Sequence, residues 1–92
     1  MIKELIRIAE HYGPSNQSRQ LIEEMAELTQ ALCKAQRVGT MVYNRENIIE
    51  EIADVEVMLY QMKHLLGCHE EVTRIKQEKI ARQIARIEEE VR

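Results

Sequence analysis

The chain carries EEMAE at residues 23–27 and EEIAD at residues 50–54, and these two stretches determine how it is expected to fold. Each stretch lies in a segment whose apolar residues recur at intervals of three and four, which predicts two helices. Because residues three apart share a helix face, each stretch places two carboxylates on one side of its helix. Antiparallel packing of the two helices would bring four carboxylates together, and such a cluster needs a cation or is strained by repulsion.

The second stretch provides the stronger evidence. On a helix from Asn44 to Leu66, Glu51 lies inside the apolar stripe and Asp54 lies at its edge. A carboxylate that faces a core costs several kcal/mol unless it is paired or bound to a metal. The predicted stripe consists of Ile48, Ile52, Val55, Met58, Leu59, Met62, Leu65 and Leu66.

The first stretch is less unusual. On a helix from about Asn16 to Arg37, Glu24 borders the apolar face and Glu27 lies one step further out. By itself, EExxE is a common pattern on solvated helix surfaces. That interpretation loses weight when the next helix carries an ExxD pattern directed at the core.

The length and composition limit the classes of protein to which the chain can belong. The 92 residues make one domain, residues 1–92, with 45% hydrophobic and 32% charged residues. A domain of this size buries only a modest fraction of its surface, so we expect a homo-oligomer, at least a dimer. The net charge of −3 argues against a general nucleic-acid binder, which needs a basic surface. The charged N-terminal segment and the lack of a long apolar run predict no membrane span and a cytoplasmic location.

The spacing of breakers predicts four helices. Gly13-Pro14 should end the first helix, at about residue 12, and Ser15 or Asn16 should cap the second. Gly39 and Gly67 should end the second and third helices, with Asn44 capping the third. The fourth helix should run from about His69 to near the C-terminus. Short connections between helices favour antiparallel neighbours, so the predicted fold is an all-α, four-helix bundle-like chain.

The two acidic motifs resemble those of the MazG-like all-α nucleoside triphosphate pyrophosphohydrolases. The likeness covers most of the chain: EExxE, 23 intervening residues and ExxD, with Gln20 before the first motif and Leu28 after it. It includes the continuation Ala53-Asp54-Val55. A later run, KIARQIAR at residues 79–86, resembles the family's Lys-xxx-Asn-xx-Arg pattern, with Gln83 where Asn is usual.

The resemblance implies a function and an assembly. It implies an oligomeric architecture, a dimer or a tetramer, and hydrolysis of a nucleoside triphosphate between its α- and β-phosphates to give the monophosphate and pyrophosphate. Glu23 would orient water or serve a second ion as the catalytic carboxylate. The remaining site residues would be the metal ligands Glu24, Glu27, Glu51 and Asp54, and the phosphate contacts Lys79, Gln83 and Arg86.

The residue types themselves indicate which metal would bind. Four carboxylates without a nitrogen or sulfur ligand select a hard cation, Mg²⁺ or Mn²⁺. The chain has three histidines, and none forms the Glu-x-x-His pair of a di-iron bundle.

Several alternatives remain open at this stage. By its residues alone, the run at residues 79–86 is more typical of a solvated helix face, and Lys34, which could contact phosphate, is more simply explained by a surface ion pair. The whole chain could be a non-catalytic oligomerisation or regulatory module with the same fold. It could also be a phosphoribosyl-nucleotide pyrophosphohydrolase.

Overall fold

Three α-helices make up almost the whole chain. The computed structural model describes all 92 residues and contains α1 (Ile2–Val38), α2 (Arg45–Leu66) and α3 (His69–Glu90), with no strand. The prediction of an all-α fold is therefore confirmed. None of the three helices combines the length and the apolarity that a membrane-spanning segment requires.

Helix α1 unites the first two predicted helices across a kink. Gly13 has φ 84° and ψ 168°, a conformation that is not helical and that side chains with a Cβ rarely adopt. The predicted caps do not form, because the Asn16 amide donates to the Tyr12 carbonyl (3.0 Å) and the Ser15 hydroxyl accepts from Arg19 (3.1 Å). The predicted interruption at Gly13-Pro14 is thus present as a kink between two helical segments, which together form the single element α1.

The other predicted helix ends are present. Gly39 and Gly67 follow α1 and α2 in the left-handed conformation, and their amides donate to carbonyls of the preceding turn. Asn44 occupies the N-cap position of α2, but its side chain makes no capping bond. Its amide donates instead to the Ala31 carbonyl (3.2 Å), so it attaches the connecting loop to α1.

Helices α1 and α2 pack antiparallel along most of their length. Near the far end of α2, Glu10 contacts His64 (3.0 Å), and further along α1 the Gln17 amide donates to Gln61 (2.8 Å). At the loop end the small residues Ala31 and Ala35 are buried against Ile48. Small side chains at this end let the two backbones approach closely.

The apolar stripes are only partly covered. Of the stripe predicted on α2, Ile48, Val55 and Met58 are buried, whereas Ile52 and Leu59 remain 42% and 43% exposed. A contact between two helices is a narrow line, so it covers only one side of a broad apolar face. Only 8 of the 92 residues are buried.

Helix α3 extends away from the other two. It contacts α2 only, mainly around the turn where His69 stacks near Tyr60 (ring centroids 4.7 Å apart), and none of its residues is buried. The radius of gyration is 16.5 Å, against about 12 Å for a compact domain of this length. A single chain therefore does not complete the expected four-helix bundle, because the isoleucines of α3 remain exposed.

The close approach of α1 and α2 leads to a stability prediction. Ala35→Leu places a larger side chain at a fully buried position, and should lower the free energy of unfolding by about 1–3 kcal/mol. Ala26→Leu, at an exposed position of the same helix, is the matched control and should change it little. Urea unfolding in EDTA measures both. Equal stability of the two variants would contradict the packing described here.

Candidate metal centre

The antiparallel packing brings the four predicted carboxylates to one place. Glu24 and Glu27 come from α1, Glu51 and Asp54 come from α2, and one oxygen from each lies within 4.8 Å of the others. Each helix thus contributes two residues from adjacent turns. The two pairs form one cluster although they are more than 20 residues apart in the sequence.

Helix periodicity explains why these side chains meet. On α1, Glu24 precedes Leu28 by four residues and Ala31 by seven, so it lies on the face that packs against α2. On α2, Glu51 lies between the buried residues Ile48 and Val55 in the same way. These two glutamates are half-buried, while the other two carboxylates are exposed at the edge of the contact.

Two carboxylate oxygens of the cluster lack any protein partner. Oε2 of Glu24 and Oε2 of Glu51 are buried and accept no hydrogen bond. The other oxygen of Glu24 accepts from the Gln20 amide (2.8 Å). A buried polar atom without a partner is unfavourable, and more so when it is charged. The cluster therefore has unused acceptor capacity.

The electrostatics of the cluster oppose full ionisation. Burial is the main reason that the pKa of Glu24 is raised, and the charges of Glu27 and Asp54 add to it, while the hydrogen bond from Gln20 lowers it. Burial is also the main reason that the pKa of Glu51 is raised. The charge of Glu27 and a hydrogen bond with Glu27 raise this pKa further. Proximity of like charges thus favours protonation in the metal-free protein.

No side-chain cation relieves this repulsion. The four ion pairs of the structure lie elsewhere, and none includes a residue of the cluster. A structural ion pair is therefore not the reason why Glu51 faces the core. Oxygen-only ligands with unsatisfied buried acceptors fit a hard divalent cation, Mg²⁺ or Mn²⁺.

A cavity adjoins the cluster along α1 and α2. Its volume is about 360 Å³, and its wall includes Glu27 and Glu51 together with Lys34, Arg37 and Asn47. Lys34 makes no ion pair, so the surface pair that its position allowed is absent. Arg37 and Asn47 were not among the predicted site residues, because helix periodicity assigns both to a solvated surface.

The other predicted site residues lie outside the cluster. Glu23 is exposed and borders a separate surface depression with Tyr12. Lys79, Gln83 and Arg86 are exposed on α3, which makes no contact with α1. Within one chain, therefore, α3 does not bring these three residues to the carboxylates of α1.

The raised pKa values predict how stability depends on pH. A carboxylate whose pKa is higher in the folded than in the unfolded state contributes stability below the unfolded pKa, and this contribution is lost as pH rises through the folded pKa. Glu51→Gln removes one such group. In EDTA, the variant should therefore gain stability relative to wild type as the pH rises above about 4.5, the ordinary pKa of a glutamate.

Urea unfolding across this pH range measures the difference, in which the titration of groups common to both proteins largely cancels. A variant that instead loses stability relative to wild type as the pH rises would show that the Glu51 carboxylate is stabilised by a partner in the folded protein.

Comparison of the chain with protein-family models, with curated proteins and with solved structures returned no match. The interpretation of the site therefore depends on its own residues and geometry.

Proposed function

We propose that the protein is a Mg²⁺-dependent nucleoside triphosphate pyrophosphohydrolase that converts a (d)NTP or related nucleotide to the monophosphate and pyrophosphate. The observation that carries the proposal is the convergence of four carboxylates with two buried, unpartnered oxygens. The resemblance of the motifs to the MazG-like enzymes supports the same reaction. Mg²⁺ suits this donor set, and Mn²⁺ would be accepted in the same place.

The roles of the residues follow from their positions. Glu24, Glu27, Glu51 and Asp54 would hold the ion between α1 and α2. The ion would supply charge to phosphate oxygens and lower the pKa of an attacking water. The role predicted for Glu23, to orient that water or hold a second ion, is not supported by its position, because its exposed side chain borders a separate depression.

The same proposal includes an oligomer with a MazG-like helical architecture. The chain leaves Ile22, Ile52, Leu59 and the isoleucines of α3 at least two-fifths exposed, and a second copy would cover them. In a dimer or tetramer, α3 of one subunit would lie beside the site of another. Lys79, Gln83 and Arg86 would then contact substrate phosphate across the interface.

Two alternatives are separated from this proposal by specific features. A non-catalytic oligomerisation module would use the exposed apolar faces, but it has no need for the two unpartnered buried oxygens. A phosphoribosyl-nucleotide pyrophosphohydrolase would use the same carboxylates with a different substrate. A panel that contains both substrate classes distinguishes the two enzymes.

The first prediction from this proposal concerns catalysis. With Mg²⁺, the protein should release pyrophosphate from at least one member of a nucleoside triphosphate panel, and EDTA should abolish the release. Glu51→Gln removes one anionic ligand and should reduce the rate by about two orders of magnitude. Glu56→Gln, an exposed carboxylate on the same helix, is the matched control and should keep the activity. Equal activity of the two variants would contradict the assignment.

The second prediction concerns assembly. Because one chain buries so few residues, light scattering at micromolar concentration should show a dimer or a larger homo-oligomer. Ile84→Glu and Leu59→Glu place charges on the exposed apolar faces of α3 and α2, and at least one of them should weaken the assembly. A stable wild-type monomer would contradict this part of the proposal.

A further inference from the structure

The cavity beside the carboxylates has opposite charges at its two ends. Glu27 and Glu51 line it where it meets the cluster, and Lys34 and Arg37 line it towards the C-terminal end of α1. Lys34 lies two turns beyond Glu27 on the same helix, about 10 Å along its axis. A ligand that is bound at the carboxylates through a metal and extends through the cavity would therefore meet two cations.

The two cations are free to bind a ligand. Neither Lys34 nor Arg37 takes part in any of the four ion pairs of the structure, and both side chains are exposed. They are three residues apart, so they share one side of α1. The guanidinium group can bind phosphate oxygens in a bidentate manner, and the ammonium group can add a second contact.

Charge balance explains what these residues would contribute. Four ionised carboxylates carry four negative charges, and one Mg²⁺ neutralises only two of them. A phosphate group that approaches this site would still be repelled. Lys34 and Arg37 supply the two missing positive charges. Both line the cavity through which a ligand reaches the metal ligands.

We propose that Lys34 and Arg37 bind the phosphate chain of the substrate in this cavity, with its metal-bound phosphates beside Glu27 and Glu51. The inference rests on the proposed function and assigns phosphate binding to α1 of the same chain. The cations of α3, in contrast, line no part of this cavity. Asn47, one turn before Glu51 on α2, offers an amide donor on the opposite wall.

Cys33 provides a native reporter for the cavity. Its exposed thiol lies in the cavity wall beside Lys34, whereas Cys68 lies at the start of α3, outside the cavity. A phosphate chain bound at Lys34 and Arg37 should slow alkylation of Cys33 and leave alkylation of Cys68 unchanged. Iodoacetamide labelling followed by peptide mass spectrometry measures both thiols in one sample.

The decisive experiment titrates inorganic pyrophosphate into the Mn²⁺-loaded protein by calorimetry. Lys34→Gln and Arg37→Gln should each weaken pyrophosphate binding about tenfold, because each removes a charge-assisted contact. Both should retain wild-type Mn²⁺ affinity, which also shows that they fold. Lys76→Gln, an exposed lysine of α3, is the matched control and should bind pyrophosphate as wild type does. Pyrophosphate should protect Cys33 in the wild type.

The failures of the two proposals are distinguishable. If Mn²⁺ binds but pyrophosphate does not, the inference is wrong and the metal centre stands. The same holds if the two variants bind pyrophosphate as tightly as the wild type does and pyrophosphate does not protect Cys33. If the wild type binds no Mn²⁺, the metal centre is wrong, and this inference fails with it.

Discussion

The packing of α1 against α2 forces four carboxylates into a space where no side-chain cation forms an ion pair with them. Contacts on both sides hold this arrangement in place: the buried Gln17–Gln61 hydrogen bond on one side, and Ala35 with Ile48 on the other. Because the register is set by these flanking contacts, the helices cannot slide to separate the carboxylates without breaking both. The metal-free fold therefore contains a local repulsion that its own packing maintains, which is the condition expected of a preformed cation site.

The small extent of burial connects this site to assembly. One line of contact between two helices buries the positions that flank the carboxylates and leaves the other half of each apolar stripe exposed. Helix α3 is amphipathic but packs on neither α1 nor the middle of α2. A second copy would cover these faces and would place more protein around an otherwise open site. In this account, the cavity of about 360 Å³, which is lined by α1 and α2 of one subunit, receives the phosphate chain.

The helix ends and the meeting of the acidic motifs were predictable from the sequence, and the extent of burial was not. Gly39 and Gly67 end helices where expected, because a left-handed residue at these positions depends only on the residue type. The meeting of ExxE with ExxD was also predictable, since helix periodicity fixes which side chains share a face. The interruption at Gly13-Pro14 was also predictable, although the helical segments on its two sides form one kinked element. The exposure of Ile52 could not be predicted, since a periodic apolar stripe does not reveal which half faces the partner helix. The cavity was missed because its cations come from surface positions that periodicity alone assigns to solvent.

The most direct measurement of the central claim is thermal unfolding in EDTA and in saturating Mg²⁺ or Mn²⁺, on wild type and on the double variant Glu24→Gln/Glu51→Gln. An ion that binds only the folded protein stabilises it by RT ln(1 + [L]/Kd), so the wild-type melting temperature should rise with ion concentration. The double variant lacks the two half-buried ligands with unpartnered oxygens and should show no such rise, while melting in EDTA at or above the wild-type temperature. Identical wild-type curves in EDTA and in saturating Mg²⁺ and Mn²⁺ would contradict the account and identify the cluster as an acidic patch without a metal.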